Sequence, residues 1–118
     1  MAEIEVLSKV TIVTRREKKE ELRAALQKLG VTGMTVTNCT GCGVQKAVMR
    51  YYRGAKKEIK LLPQVKFEIT LCEIPVDDVI KTAKEVLYTG EIGDGKIFVE
   101  EEKRVVKIRT GEEGVAAL

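Results

Sequence analysis

Apolar residues along this chain recur first at every second position, then at every third or fourth. Over residues 4–13, Ile4, Val6, Val10 and Ile12 share one parity, the repeat of a strand with one buried face. The polar stretch 14–19 follows, with Thr14 placed to cap a helix. Leu22, Ala25, Leu26 and Leu29 then fall at i, i+3, i+4 and i+7, which predicts a helix over about 17–29, stopped by Gly30. A second strand is predicted over 31–40. In the third, opened by Pro63, Val65, Phe67, Ile69 and Leu71 alternate with Gln64, Lys66, Glu68 and Thr70. Pro75 falls in the first turn of a second helix, whose stripe is Val76, Val79, Ile80, Ala83 and Leu87. A fourth strand is predicted over 96–99 and a further short one over 104–109, and the tail 111–118 docks against the domain.

The order strand, helix, strand, strand, helix, strand predicts an α+β fold, a ferredoxin-like βαββαβ sandwich forming a single domain over 1–118. Two helices cover one face of an antiparallel sheet and none remains for the other. Leu7 and Val13 beside Val6 and Val10 suggest apolar positions on both faces, so the second face is expected to bury itself against other copies of the chain. Between strands two and three lies a polar insertion, 41–62. Within it Arg50, Arg53, Lys56, Lys57 and Lys60 are opposed over 50–60 only by Glu58. Its length is near the limit for an unstructured loop in a compact domain, which marks it as functional or mobile. Such a fold hosts many functions and names none.

Composition narrows the choice. A net charge of +3 is too mild to imply nucleic-acid binding. Two Phe and three Tyr are too few for a stacking RNA module. No run of eighteen apolar residues and no secretory leader is present, so a cytoplasmic protein is expected. Histidine is absent, which removes the usual general base near neutral pH and the commonest metal ligand. Glu58, Glu68 and Asp94 read as surface or turn carboxylates, so an enzyme is not expected. Cys39 and Cys42 form a C-x-x-C, but a zinc site needs about four ligands and no second pair exists, so the thiols read as reduced and structural.

Two glycine-rich segments carry the candidate chemistry. Gly41-Cys42-Gly43-Val44-Gln45-Lys46 and Thr89-Gly90-Glu91-Ile92-Gly93-Asp94-Gly95-Lys96 each end in lysine, and Lys107 and Arg109 add a third cationic stretch. Glycine lets backbone approach a ligand, and exposed N–H groups beside an ammonium make an anion site, typically for phosphate. Neither segment is a Walker A loop or a Rossmann fingerprint. Each is weak alone. Together they suggest a nucleotide site assembled from strand ends, within one subunit or across an interface.

The chain resembles the nitrogen-regulatory PII signal-transduction proteins. The resemblance runs from the first strand to the tail. It rests on 31–37 (VTGMTVT), Gly41-x-Gly43-x-Gln45-Lys46, Tyr52-Arg53-Gly54-Ala55, Leu62-Pro63-x-Val65-Lys66, Thr89-Gly90-x-Ile92-Gly93-Asp94-Gly95-Lys96-Ile97-Phe98-Val99 and Ile108-Arg109-Thr110-Gly111-Glu112. The Gly-Cys-Gly-x-Gln-Lys-Ala start of the insertion and the end of the tail are similar to the Gram-positive branch paired with ammonium transporters. The resemblance implies a homotrimer with three intersubunit clefts for ATP or ADP. Thr35, Gly41, Cys42, Gly43, Val44 and Ile92 would surround adenine and ribose. Gly93, Asp94, Gly95, Lys96, Lys107 and Arg109 would hold phosphates. Gln45 would help bind Mg²⁺ with ATP and, with Lys46 and Gln64, 2-oxoglutarate.

The same resemblance makes about 43–62 an effector loop. Tyr51, Tyr52, Arg53 and Gly54 would meet a partner: an ammonium transporter, or else a transcription factor or nitrogen-assimilation enzyme, with no nucleic acid. The protein would associate peripherally with the membrane when bound to a transporter. An alternative is a PII-like regulator that senses another adenine nucleotide and controls a different transporter. Three positions depart from the family pattern. Lys57 stands where uridylylated members carry tyrosine. Gln64 stands where the family commonly has a lysine for the distal 2-oxoglutarate carboxylate, a loss of roughly 1–3 kcal/mol or about 10- to 100-fold in affinity. Lys107 stands for a usual arginine, keeping charge without the fork.

Overall fold

In the computed structural model, residues 6–44 and 59–118 are described. Strand β1 (Leu7–Arg15) leads through a single 3₁₀ turn (Arg16–Lys18) into helix α1 (Lys19–Leu29). Strands β2 (Thr35–Val44) and β3 (Ile59–Leu71) follow, then helix α2 (Val76–Leu87), strand β4 (Lys96–Glu102) and a terminal 3₁₀ turn (Gly114–Ala117). The sheet order is β2-β3-β1-β4, with every neighbouring pair antiparallel, which is the expected ferredoxin-like arrangement.

The helix-facing side of the sheet makes the core. Val10 and Ile12 of β1 and Val65, Phe67, Ile69 and Leu71 of β3 pack with Leu22 and Leu26 of α1 and Val79, Ala83 and Leu87 of α2. Each fully buried large side chain contributes on the order of 1.5–3 kcal/mol. Gly30 ends α1 in a left-handed conformation, φ 113°. Its N–H donates to Gln27 O and that of Val31 to Leu26 O, both at 3.0 Å, so the last carbonyls of the helix are satisfied. Pro75 is the N-cap of α2 rather than a residue of its first turn, and Asp77 and Asp78 complement the helix dipole just inside.

Several boundaries differ from the sequence expectation, each for a local reason. Thr14 caps nothing. It stays in β1, fully buried, and its hydroxyl donates to Asp94 O at 2.9 Å. Pro63 does not open β3. The β2–β3 ladder continues past it through Gly41↔Leu62 to Val44↔Ile59, so the insertion begins as an extension of the sheet. Pro63 is tolerated because β1 stops at Arg15↔Gln64, leaving that side of β3 without a neighbour to receive its missing N–H. The predicted strand over 104–109 is instead a turn: Lys107 N–H donates to Glu112 O, Gly111 N–H to Lys107 O, and one isolated bridge joins Val106 to Glu113.

The other face of the sheet is polar rather than apolar. The register places Thr11, Glu68 and Thr35 side by side, then Val13, Lys66 and Thr37. Lys9 and Lys66 lie 3.2 and 3.8 Å from the Glu68 carboxylate, and the Glu68 hydrogen bond holds the Lys9 ammonium above its usual pKa. Phe98, opposite Thr11, and Val13 are its apolar members in the central register. Leu7 is buried but outside the core cluster. A second apolar face is therefore not what would drive association of copies.

Phe67 is central to the core and fully buried. Phe67→Ala should lower unfolding free energy by about 3–5 kcal/mol in urea titrations, through lost transfer energy and an unfilled cavity. A loss below about 1 kcal/mol would show that the core is centred elsewhere.

Candidate functional site

The end of β1 organises both glycine-rich segments. On one side the loop between α2 and β4 folds back over it. Gly95 has φ 101°, and a Cβ there would collide with Val13 O and come within 2.9 Å of Thr14 Cα. Glycine is needed both for the backbone angle and for this close approach. Asp94 shapes the rest of the loop from within. Its carboxylate accepts the N–H groups of Thr89 and Gly90 at 2.8 and 2.9 Å, the Thr89 hydroxyl, and the Arg15 guanidinium at 2.6 Å. Arg15 also donates to Gly93 O at 3.4 Å. These bonds, the Thr89 hydroxyl first, hold the Asp94 carboxyl down at about 2. Asp94 thus spends its charge inside the loop, while Gly93 and Gly95 N–H groups donate to nothing among the described residues. With Lys96 exposed at the start of β4, these make up the glycine–lysine cradle of which anion binding was expected.

On the other side of β1 lies the base of the insertion. Arg16, the next residue, donates to Cys39 O at 2.7 Å and to Gln64 O at 3.2 Å, bridging a register pair of β2 and β3. The Gln64 side chain lies across Gly41, where any Cβ would overlap its amide. Gly41, Cys42, Gly43, Val44 and Gln64 are thereby brought to the same end of the sheet as Gly93–Lys96. Cys39 and Cys42 sit on opposite parities of β2, half-buried and exposed, and both are free. Among the described residues no three potential metal-ligating side chains gather.

Thr35 lies elsewhere. It is six residues up β2 from Gly41, about 20 Å away at strand rise, and pairs with Glu68. Lys107 and Arg109 follow β4 beyond Glu102, which pairs with Leu7 at the end of β1 away from Gly93–Lys96. There Gly30–Thr35, Glu68, Cys72 and Ile74 line a cavity of about 600 Å³ with Val115 and Leu118 of the tail, which docks as expected. The candidate residues thus form separate groups: Gly41–Val44 with Gly93–Lys96 at one end of the sheet, Thr35 in its central register, and Lys107 and Arg109 on the chain beyond the other end of β4. Ile92, 64 % exposed, belongs with the cradle. Gln45, Lys46, Tyr51, Tyr52, Arg53, Gly54 and Lys57 lie outside the described residues.

Thr14, Arg15, Arg16 and Thr89 were not singled out from the sequence as site-forming. Polar residues between a strand and a helix read equally well as a linker. The usable signal was two consecutive arginines at a strand end, where carbonyls of neighbouring strands become available.

Comparison with known proteins identifies the family. The family described as "Nitrogen regulatory protein P-II" matches residues 7–112. The chain is 52% identical over 110 residues to a nitrogen regulatory PII-like protein of Bacillus subtilis, covering 93% of this chain and 95% of that one. It is 45% identical over 109 residues to the nitrogen regulatory protein GlnK of Escherichia coli, covering 92% and 97%. The solved ATP complex of Bacillus subtilis GlnK superposes with a TM-score of 0.81 at 46% identity, covering 99% of this chain and all of that one. The chain belongs to the P-II family of nitrogen regulatory proteins, whose members are signal regulators rather than enzymes. No described helix is long and apolar enough to cross a membrane.

The low Asp94 pKa gives a pH dependence of definite sign. The ionised carboxylate supports the loop above its ordinary pKa of 3.8, and that support is lost as pH falls toward about 2. Amide NMR shifts of Thr89 and Gly90 should therefore titrate below pH 4, whereas Asp94→Asn should show altered shifts at pH 7 and no acid step. Identical spectra of the two proteins at pH 7 would remove Asp94 from this role.

Proposed function

We propose that this protein is an adenine-nucleotide-sensing regulator of nitrogen assimilation, a ring-forming homotrimer that binds ATP or ADP between subunits. The observation that carries the reading is the separation of the candidate groups along one sheet. The cradle of Gly93, Gly95 and Lys96 with Gly41–Val44 sits at one end, Thr35 begins β2 about 20 Å from Gly41 at strand rise, and Lys107 and Arg109 follow the other end of β4. In this reading one nucleotide does not span all of these groups within one chain. A head-to-tail contact brings one end of a copy against the opposite end of the next, and repeated contacts of this kind close into a ring. The ATP complex of the Bacillus subtilis relative supports the ligand class.

In this reading the cradle N–H groups and Lys96 take phosphate oxygens from one subunit. Lys107 and Arg109 of the next supply further charge, Lys107 as a point charge and Arg109 as a fork. Mg²⁺ with ATP falls to Gln45. 2-Oxoglutarate, held by Gln45, Lys46 and Gln64, acts only at high concentration, because Gln64 offers a neutral amide that already lies over Gly41. Nucleotide state then selects among conformations of the effector loop. The regulator is cytoplasmic and reaches the membrane through its partner.

Isothermal titration of the purified full chain with ATP and ADP tests the site. Lys96→Ala and Arg109→Ala should each weaken ATP by at least about tenfold, as loss of a charge-assisted contact requires. Light scattering should give a trimer. Unchanged titrations in both variants, or a monomer at micromolar concentration, would overturn the assignment.

For the partner, the proposal is an ammonium transporter contacted by Tyr51, Tyr52, Arg53 and Gly54, favoured with ADP. Pull-down from membranes carrying that transporter should retain the protein with ADP, and lose it with Mg²⁺-ATP plus 2-oxoglutarate or after Arg53→Ala. Equal retention in all three conditions would end this reading in favour of another partner.

A further inference from the structure

The arginines at the end of β1 are consecutive in sequence yet hold different elements. Arg15 binds the Asp94 carboxylate at 2.6 Å and Gly93 O at 3.4 Å, inside the phosphate cradle. Arg16 binds Cys39 O at 2.7 Å and Gln64 O at 3.2 Å, where the insertion leaves the sheet. Thr14, just before them, adds a third tie through Asp94 O at 2.9 Å. We propose that Arg15 and Arg16 form a two-armed latch that mechanically couples the phosphate cradle to the base of the effector loop, with Arg16 the positioning residue for the loop side.

Four observations support the coupling. Neighbouring residues in one chain cannot move independently when each is fixed by charge-assisted hydrogen bonds. Arg15 is also the register partner of Gln64, so the backbone of the cradle arm and the carbonyl held by the loop arm belong to one ladder position. The heads are rigid: a planar guanidinium holds two carbonyls in a fixed geometry, whereas the donors of an ammonium rotate on a flexible stem. Finally, β1 has no further partner on β3 beyond Gln64, so Arg16 is a side-chain substitute for the strand that has ended there. Without it, Cys39 O and Gln64 O would lose the bonds that tie them to β1. A displacement of Asp94 by an entering phosphate would then stop at Arg15 rather than reach β2 and β3.

The latch is a property of the fold. Only its regulatory use rests on the nucleotide reading above. The decisive experiment therefore needs no nucleotide: a mutant cycle on the full chain, read by hydrogen exchange. Asp94→Asn weakens the cradle arm, and Arg16→Ala removes the loop arm. With Arg16 present, Asp94→Asn should speed exchange about tenfold both in 89–95 and at the amides of 39–42, 61, 62 and 64, the scale of one charge-assisted bond. In the Arg16→Ala background it should still do so in 89–95 but change the loop base by less than about twofold. Arg16→Lys, which keeps the charge without the fixed planar fork, should restore part of the coupling, and it carries the cycle if the alanine variant does not fold. A structural role without coupling predicts additive effects. If Asp94→Asn affects the loop base equally with and without Arg16, or not at all, the latch is wrong. Calorimetry with ATP separates the two readings, since a chain that binds no ATP defeats the proposed function while the cycle still decides the latch.

Discussion

The contact on which the rest of this molecule depends is the close passage of Gly95 over the end of β1. Gly95 sits where a Cβ would overlap the Val13 carbonyl. Only at that separation can the buried Thr14 hydroxyl reach Asp94 O and Arg15 reach the Asp94 carboxylate. Asp94 in turn gathers Thr89 and Gly90, and the cradle takes its shape. Moving the loop outward by the width of a methyl group would break this series at its first member. The helices stabilise the sheet, but this backbone approach makes the sheet edge into a site.

β1 is central in more than position. It pairs with β3 on one side and β4 on the other, and its core-facing residues Val10 and Ile12 are fully exchanged from water. That packing makes its C-terminal end a rigid reference for two polar segments that have little core of their own. The arrangement follows a common division of labour: apolar burial fixes where the strands lie, and hydrogen bonds at the strand ends fix what they present. Lys9, Lys66 and Glu68 complete the picture on the open face, where paired charge and threonines take the place of an apolar surface.

In the proposed reading, a site drawn from separate parts of the sheet also constrains assembly. A site complete within one chain would leave association optional. A site divided by the length of β2 makes ligand binding and association parts of the same equilibrium. Ligand that bridges two copies stabilises the contact between them, and the contact raises affinity for the ligand.

Much of the fold was legible in the amino-acid order. The alternation at Val65, Phe67, Ile69 and Leu71, and the stripes of α1 and α2, set element type because burial imposes a period of two on strands and 3.6 on helices. Gly30 was legible as a helix end. Other features required the tertiary structure. Pro63 and the glycines at 41 and 43 read as breaks in a strand, yet β2 and β3 run through them, and at Pro63 the missing β1 neighbour removes the penalty. Thr14, Arg15 and Arg16 read as a polar linker, since no local pattern says which distant carbonyl a guanidinium will meet. Residues far apart in the chain, such as Arg15 and Asp94, are joined only by the order of strands in the sheet. Thr35 and Gly41 are near in sequence and far in space, because extended backbone turns six residues into the full reach of the site.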